Sequence, residues 1–249
     1  MELTVLGAGP AYTDRPGAIG SAYLLRESGS AIVLDLGQGS FPALAAQLEP
    51  SRLDAVIVSH LHPDHFIDLV PLRHYLRYEF EPPRRVTVHG PDGLGDRLDA
   101  LHAEPGFAGE VLDVLPLAPG SIDVGPFRVE ARRVAHTDDS FGFRCAAGDG
   151  PGLVYSGDCG RWEDLVPLVR PGDTLLAEVS FGPGPVPRGA MHLDAPGIVR
   201  LAAATRPARV LLTHLQMGFS REDTVAMVRA GFTGPVELVE PGFEAHILA

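Results

Sequence analysis

The stretch Val56-Ile-Val-Ser-His-Leu-His-Pro-Asp-His65 decides how the rest of the chain is read. Its first half is the β-branched, apolar run of a strand buried on both faces; its second half sets three His and one Asp within six positions. In an extended or turning segment alternate side chains point the same way, so His60, His62 and Asp64 are expected to converge while His65 reaches a neighbouring point. Imidazole and carboxylate are donors that divalent first-row metals take, and Pro63 stiffens the loop that aims them. The competing reading, a polar turn that happens to be rich in His, leaves unexplained why the cluster follows a buried strand. Open α/β sheets place their sites at such carboxyl ends.

At 249 residues and 45% hydrophobic, the chain buries a sizeable core, and residues 1–249 read as a single domain. No apolar run approaches a membrane-spanning length, and Met1-Glu-Leu-Thr-Val-Leu6 starts directly in a strand-like pattern, which gives the expectation of a cytoplasmic enzyme. The two cysteines, Cys145 and Cys159, are too few for a disulfide framework and lack the spacing of a structural zinc site. A net charge of -12 disfavours a long-range basic funnel for nucleic acid, although bound cations or a local Arg pocket reverse the sign at a site. All 20 basic residues are Arg, whose planar fork suits phosphate or carboxylate.

Outward from the central stretch, Leu3 to Gly7 reads as a strand and Gly7-Ala-Gly-Pro-Ala11 as a tight turn. A dinucleotide-binding turn needs a third glycine and a helix running straight on, which Pro10 and Pro16 prevent. Ser21 to Arg26 and Ala31 to Asp35 are further strands, and Asp35 either orients a ligand His or caps the helix expected over Phe41 to Leu48. One helix is expected over Phe66 to Tyr78, with His74 on its surface or packed within it. Strands are expected over Val86 to His89, Val111 to Leu117 and Phe127 to Val134, the last delivering His136 at its end. Asp158, Glu178 and His214 end three more apolar runs in the same way. Phe181 to Met191, dense in Gly and Pro, reads as a surface loop and a candidate lid before His192. Helices over Pro196 to Ala204 and over Arg221 to Ala230, the second capped by Ser220, precede closing strands at Val236 to Val239 and Glu244 to Leu248.

Taken together, His60-Leu-His-Pro-Asp-His65, His136, Asp158 and His214 resemble the metal-binding motifs of the metallo-β-lactamase superfamily across essentially the whole chain. Within it, Leu6-Gly-Ala-Gly9, Ser140-Phe-Gly-Phe-Arg144, Ser156-Gly-Asp158, Ala177-Glu-Val-Ser-Phe181, Met191-His-Leu-Asp194 and Leu212-Thr-His-Leu215 look like the blocks of the ribonuclease Z-like branch. The resemblance implies an α/β fold, an αββα sandwich of two mixed sheets flanked by helices. It further implies that His60, His62 and His136 bind one metal, that Asp64, His65 and His214 bind a second, and that Asp158 bridges both. Zinc is the expected ion, with manganese or iron as alternatives. Two such ions polarise a phosphoryl or acyl oxygen and generate a bridging hydroxide. Asp64, His192 and Glu178 are then the catalytic residues: His192 supplies a proton to the leaving group or steadies the phosphoryl oxygens, oriented by Glu178, or else it merely lines the lid.

The tRNA-processing members of the branch carry a long inserted arm that clamps the RNA, at the position that lies here between His136 and Asp158. This chain crosses that gap with only Phe141 to Gly157. The length and block spacing look instead like those of armless phosphodiesterases acting on small cyclic phosphates, bacterial cyclic-nucleotide phosphodiesterases among them. The expected activity is hydrolysis of a small nucleotide-like diester, cyclic AMP being the best single candidate. A ribonuclease Z-type endonuclease and a thioester, lactone or sulfate-ester hydrolase are the alternatives. Arg188 and Arg144 are candidates for phosphate contact, Arg144 being equally readable as half of a buried ion pair. The expected partner is the small substrate rather than a nucleic acid or a membrane, and a homodimer would use the apolar surface around Phe66 to Tyr78.

Overall fold

The computed structural model describes residues 1–247. Its strands are β1 (Glu2–Gly7), β2 (Ala22–Glu27), β3 (Ser30–Leu34), β4 (Ala55–Ile57), β5 (Val86–Gly90), β6 (Leu112–Pro116), β7 (Gly120–Val124), β8 (Phe127–Arg133), β9 (Phe141–Ala147), β10 (Leu153–Tyr155), β11 (Thr174–Glu178), β12 (Arg209–Thr213), β13 (Val236–Leu238) and β14 (Glu244–His246). They form two sheets of seven strands, ordered β14-β1-β2-β3-β4-β5-β6 and β13-β12-β11-β10-β9-β8-β7. Each sheet is mixed. The first is antiparallel from β14 to β3 and parallel from β3 to β6, and the second is parallel from β13 to β10 and antiparallel from β10 to β7.

The period-two alternation of the strands sorts their side chains into three layers. Leu3, Val5, Tyr23, Leu25, Ile32 and Ile57 of the first sheet pack with Phe127, Phe141, Phe143, Tyr155, Leu176 and Leu211 of the second, so the sheets meet face to face. The alternate residues Leu24, Val33, Val56 and Val88 turn outward onto the helices α1 (Ser40–Gln47), α3 (Leu69–Tyr78) and α4 (Leu94–His102), through Leu44, Leu72 and Leu98. Val154, Leu175, Val210 and Leu212 do the same on the other side, against Ile198 and Leu201 of α5 (Ala195–Thr205) and Val228 of α6 (Arg221–Gly231). The result is the expected αββα sandwich. No helix among the described residues is long and apolar enough to cross a membrane.

Three local expectations are corrected. The single helix over Phe66 to Tyr78 is two, α2 (Pro63–Phe66) and α3, because the bond that would join them is taken apart: the Asp64 carbonyl accepts from Ser21 N–H at 2.9 Å and Asp68 N–H donates to the Leu36 carbonyl at 3.0 Å. Both groups are spent on the first sheet's loops instead of on an i→i−4 pair. Strands β7 and β9 add to those expected, β9 as the central antiparallel neighbour of β8 and β10. The final strand spans Glu244–His246, and Leu248, where the sequence reading ended it, lies outside the described residues.

Arg144 is the buried half of an ion pair. Its guanidinium, only 4% exposed, grips fully buried Asp173 with Nε on Oδ2 at 2.8 Å and Nη2 on Oδ1 at 2.9 Å. Asp173 also accepts from the backbone N–H groups of Gly152 and Arg170, so it ties the β9–β10 turn to the start of β11. Removing one partner strands the other charge in the interior. Asp173→Ala is expected to lower the unfolding free energy by about 3–5 kcal/mol in chemical denaturation, as the loss of one half of a buried pair does.

Candidate metal centre

The site lies where carboxyl ends of strands from both sheets face one another. His60 follows β4, and Pro63 at the first position of α2 converts the extended chain into a helical turn. This turn corrects the expected alternation. Asp64 does not join His60 and His62; the helix swings it, with His65, toward a second group. His136 leaves β8, Asp158 follows β10 through Gly157, Glu178 ends β11, and His214 follows β12. Gly157 has φ +55, and a Cβ there would stand 2.6 Å from the Phe141 carbonyl oxygen. Asp35 and His214 hold φ of 57 and 60, a left-handed conformation that costs a side-chain-bearing residue on the order of 1–2 kcal/mol. Both are held there by the packing of their strands, and both aim side chains at the centre.

In the first group His62 Nδ1 lies 3.0 Å from His60 Nε2 and 3.0 Å from His136 Nε2. Asp158 Oδ2 stands 3.7 Å from His60 Nε2 and 3.6 Å from His136 Nε2. In the second, His214 Nε2 lies 3.2 Å from Asp64 Oδ2 and 3.5 Å from Asp158 Oδ1, and His65 Nε2 lies 3.6 Å and 3.4 Å from the same two oxygens. Asp158 thus turns one oxygen to each group. A tetrahedral ion with ligand bonds of about 2.0–2.2 Å sets its donor atoms about 3.4 Å apart, and both groups have that spacing.

The outer nitrogens fix which atoms point inward. His65 Nδ1–H donates to Asp35 Oδ2 at 2.7 Å, His136 Nδ1–H to the Met191 carbonyl at 2.7 Å, and His214 Nδ1–H to Ser180 Oγ at 3.0 Å. His60 Nδ1–H donates to Ser59 Oγ at 3.1 Å. Each inward nitrogen of these four is therefore a lone pair, and His65 Nε2 and Asp158 Oδ1 are buried with no hydrogen-bond partner. Buried acceptors facing acceptors are unfavourable unless a cation stands between them, and the donor set fits divalent metal ions. These clusters are the metal-binding feature of the chain.

The electrostatics carry the same signature. Burial opposes charge on Asp158, yet the nearby His214 and His65 hold its carboxyl well below the usual carboxylate range. Burial alone pulls His60 far down, helped by repulsion from His65, whereas Asp158 and Asp35 outweigh burial at His65 and raise it well above an ordinary imidazole. Burial pushes the Cys145 thiol up to about 12 and Cys159 higher still, so neither is a nucleophile at neutral pH.

Asp35 does not cap α1, whose cap is Gly39; it accepts from Ser59 N–H at 2.6 Å, Ser59 Oγ at 2.8 Å and Tyr155 Oη at 2.7 Å besides His65. Glu178 Oε1 accepts from His192 Nδ1 at 3.0 Å and from Cys159 N–H at 3.0 Å, and its Oε2 from Ser180 Oγ at 2.5 Å. Ser59, Tyr155 and Ser180 went unread in sequence; their signal is a hydroxyl next to, or on the strand before, a ligand. A cleft of about 290 Å³ opens over the centre, lined by Pro10, Ala11, Tyr12, His62, Pro63, Asp64, Asp158, His192, His214 and Gln216. Arg188 is exposed on the loop before His192 and does not line it. Larger hollows elsewhere hold none of the clustered ligands.

A family model described as the β-lactamase superfamily domain matches residues 33–215. An uncharacterized protein of Mycobacterium leprae is 35% identical over 249 residues, covering 97% of this chain and 87% of that one. A ribonuclease Z of Kineococcus radiotolerans is 32% identical over 216 residues, covering 80% of this chain and 67% of its own length. Among solved structures, the metallo-β-lactamase fold protein YhfI from Bacillus subtilis superposes with a TM-score of 0.86 at 22% identity, over 98% of this chain and 99% of that one.

Asp35→Asn keeps the size of the side chain that orients His65 but removes its charge. The expected result is a 10- to 100-fold loss of affinity for divalent metal, roughly the range for such supporting carboxylates, read by competition with a chromogenic chelator.

Proposed function

We propose that this chain, which belongs to the metallo-β-lactamase superfamily and is a metallo-hydrolase with ribonuclease Z-like relatives, cleaves small nucleotide-like phosphodiesters, cyclic AMP being the best single candidate. His60, His62 and His136 would hold one divalent ion, Asp64, His65 and His214 a second, and Asp158 would serve both, with zinc the first choice and manganese or iron compatible with the same donors. When bound, such ions supply Lewis acidity that polarises a phosphoryl oxygen and acidifies water. The remaining chemistry belongs to the chain's own side chains.

The observation that carries the reading is the His192–Glu178 pair at the cleft wall. Burial pulls the His192 pKa down, but the hydrogen bond and charge of Glu178, with Asp158 3.8 Å away, push it up to about 9. His192 is then protonated at neutral pH, its Nδ1–H anchored on Glu178. That leaves Nε2–H to donate to the leaving oxygen or to a phosphoryl oxygen as negative charge grows there. Glu178 is the positioning residue, itself fixed by two backbone N–H groups and by Ser180 Oγ.

Size and charge favour a small substrate over a folded RNA. Strands β9 and β10 pair directly as a hairpin, leaving no inserted arm between His136 and Asp158. A net charge of -12 also opposes the many phosphate contacts that gripping RNA takes. One observation favours a second reading, hydrolysis of a thioester, lactone or sulfate ester: among the described residues no Arg lines the cleft. Dependence on His192 separates the two, because a thiolate leaving group needs no proton and a sugar alkoxide does.

With metal-loaded protein and 3′,5′-cyclic AMP, His192→Ala is expected to lower kcat by about 10²–10⁴-fold, the range of a lost general acid. A cyclic-nucleotide turnover unchanged by that substitution contradicts the assignment. Because Glu178 raises the His192 pKa, Glu178→Gln deprotonates His192 at lower pH. The alkaline fall of the kcat profile is therefore expected to move toward neutrality, and a fall at the wild-type pH would remove Glu178 from this role.

A further inference from the structure

Tyr12 stands out against the economy of the cleft. It is 68% exposed, and it lines the same opening as His62, Asp64, Asp158, His192 and His214. The other strongly exposed aromatic among the described residues, Tyr78, lies at the end of α3 and lines a separate hollow. An exposed aromatic ring on its own needs no explanation, but the loop beneath Tyr12 is braced as free loops are not. Gly9 N–H donates to the Ile19 carbonyl at 2.7 Å, closing the loop at its base. Gln38 Nε2 donates to the Pro10 carbonyl at 3.3 Å. Arg15 sets Nη1 on the Leu215 carbonyl at 3.0 Å and Nη2 on the Gln216 carbonyl at 3.4 Å, tying the loop to the segment that follows His214. The backbone is held from three sides while the ring is left in solvent.

The volume of the cleft says what the ring is for. Pockets that enclose a drug-sized ligand run from roughly 300 to 1,000 Å³, and this one is about 290 Å³. It accommodates the phosphate-bearing part of a nucleotide, whose base must then project to the rim. A base is a flat π-surface, and its partner at such a rim is an aromatic ring already fixed in place, which loses little freedom on binding.

We infer that Tyr12 is a stacking platform for the nucleobase, or an equally flat ring, of the diester, and so a positioning residue that sets substrate preference. This rests on the phosphodiesterase reading and adds to it the part of the substrate that does not react. Because the ring meets the substrate away from the reacting phosphorus, it contributes chiefly to binding, and its loss raises KM more than it lowers kcat.

The test compares two substrates that release the same p-nitrophenolate, thymidine 5′-(p-nitrophenyl phosphate) and methyl p-nitrophenyl phosphate, with metal-loaded wild type, Tyr12→Ala, Tyr12→Phe and Tyr12→Trp. Loss of one base–aromatic stack corresponds to a fall of roughly 5- to 150-fold. In Tyr12→Ala the ratio of kcat/KM for the nucleoside ester to that for the methyl ester is expected to drop by at least fivefold, mainly through KM. Phe and Trp, which keep a ring, are expected to restore it. An unchanged ratio in Tyr12→Ala, or no rescue by Phe and Trp, overturns the inference while leaving the phosphodiesterase reading in place. If metal-loaded wild type cleaves neither diester, that reading fails and the inference falls with it.

Discussion

Asp158 is buried with its two oxygens turned to two separate sets of acceptors, and the rest of the architecture follows from making that arrangement tolerable. A buried carboxylate without compensation costs several kcal/mol, and here Asp35, Asp64 and Glu178 are buried beside it. The chain answers by neutralising charge in layers. The imidazoles form the inner layer, with lone pairs inward. Behind them stand hydroxyls and carboxylates that take the outward N–H groups and leave no other orientation for the rings.

The sandwich makes those layers rigid. Asp35 comes from the end of the first sheet's β3 and Tyr155 from the second sheet's β10, and their 2.7 Å hydrogen bond crosses the interface directly under His65. Tyr23 of β2 meets Thr213 of β12 at 2.6 Å in a second polar link across the same apolar layer. These links sit where burial would otherwise favour purely apolar side chains, one residue away from the ligand His214 and against the ligand His65. The Asp64 carbonyl has a comparable role in the backbone: it is so close to Gly37 that a Cβ there would stand 1.9 Å from it, which leaves glycine as the residue that lets the ligand loop seat against the first sheet.

Much of this was legible in the chain because metal ligands cannot hide. Three His and an Asp packed behind an apolar β-branched run, with His136, Asp158 and His214 each closing a later strand, mark both the fold and the inner layer. The division of the hexad was harder to read from geometry, since strand alternation groups Asp64 with His60 and His62 whereas the helical turn begun by Pro63 separates them. The supporting hydroxyls left little trace: Ser59, Ser180 and Tyr155 look like ordinary strand-end or core residues until the tertiary fold lays them against imidazole nitrogens. Cations chosen for their place near a motif fared differently again. Arg144 is spent on Asp173 and Arg188 points away from the lined cleft, while Tyr12, in a turn that carried no motif, lines it.

The claim on which the account stands is that Asp158 joins two cation positions. Metal content per chain, measured by elemental mass spectrometry on protein equilibrated with zinc and desalted, addresses it in wild type and Asp158→Ala together with diesterase activity on the same samples. The account predicts two equivalents in wild type, loss of at least one in the variant, and collapse of activity with it. Full metal content and full diesterase activity in Asp158→Ala would contradict it.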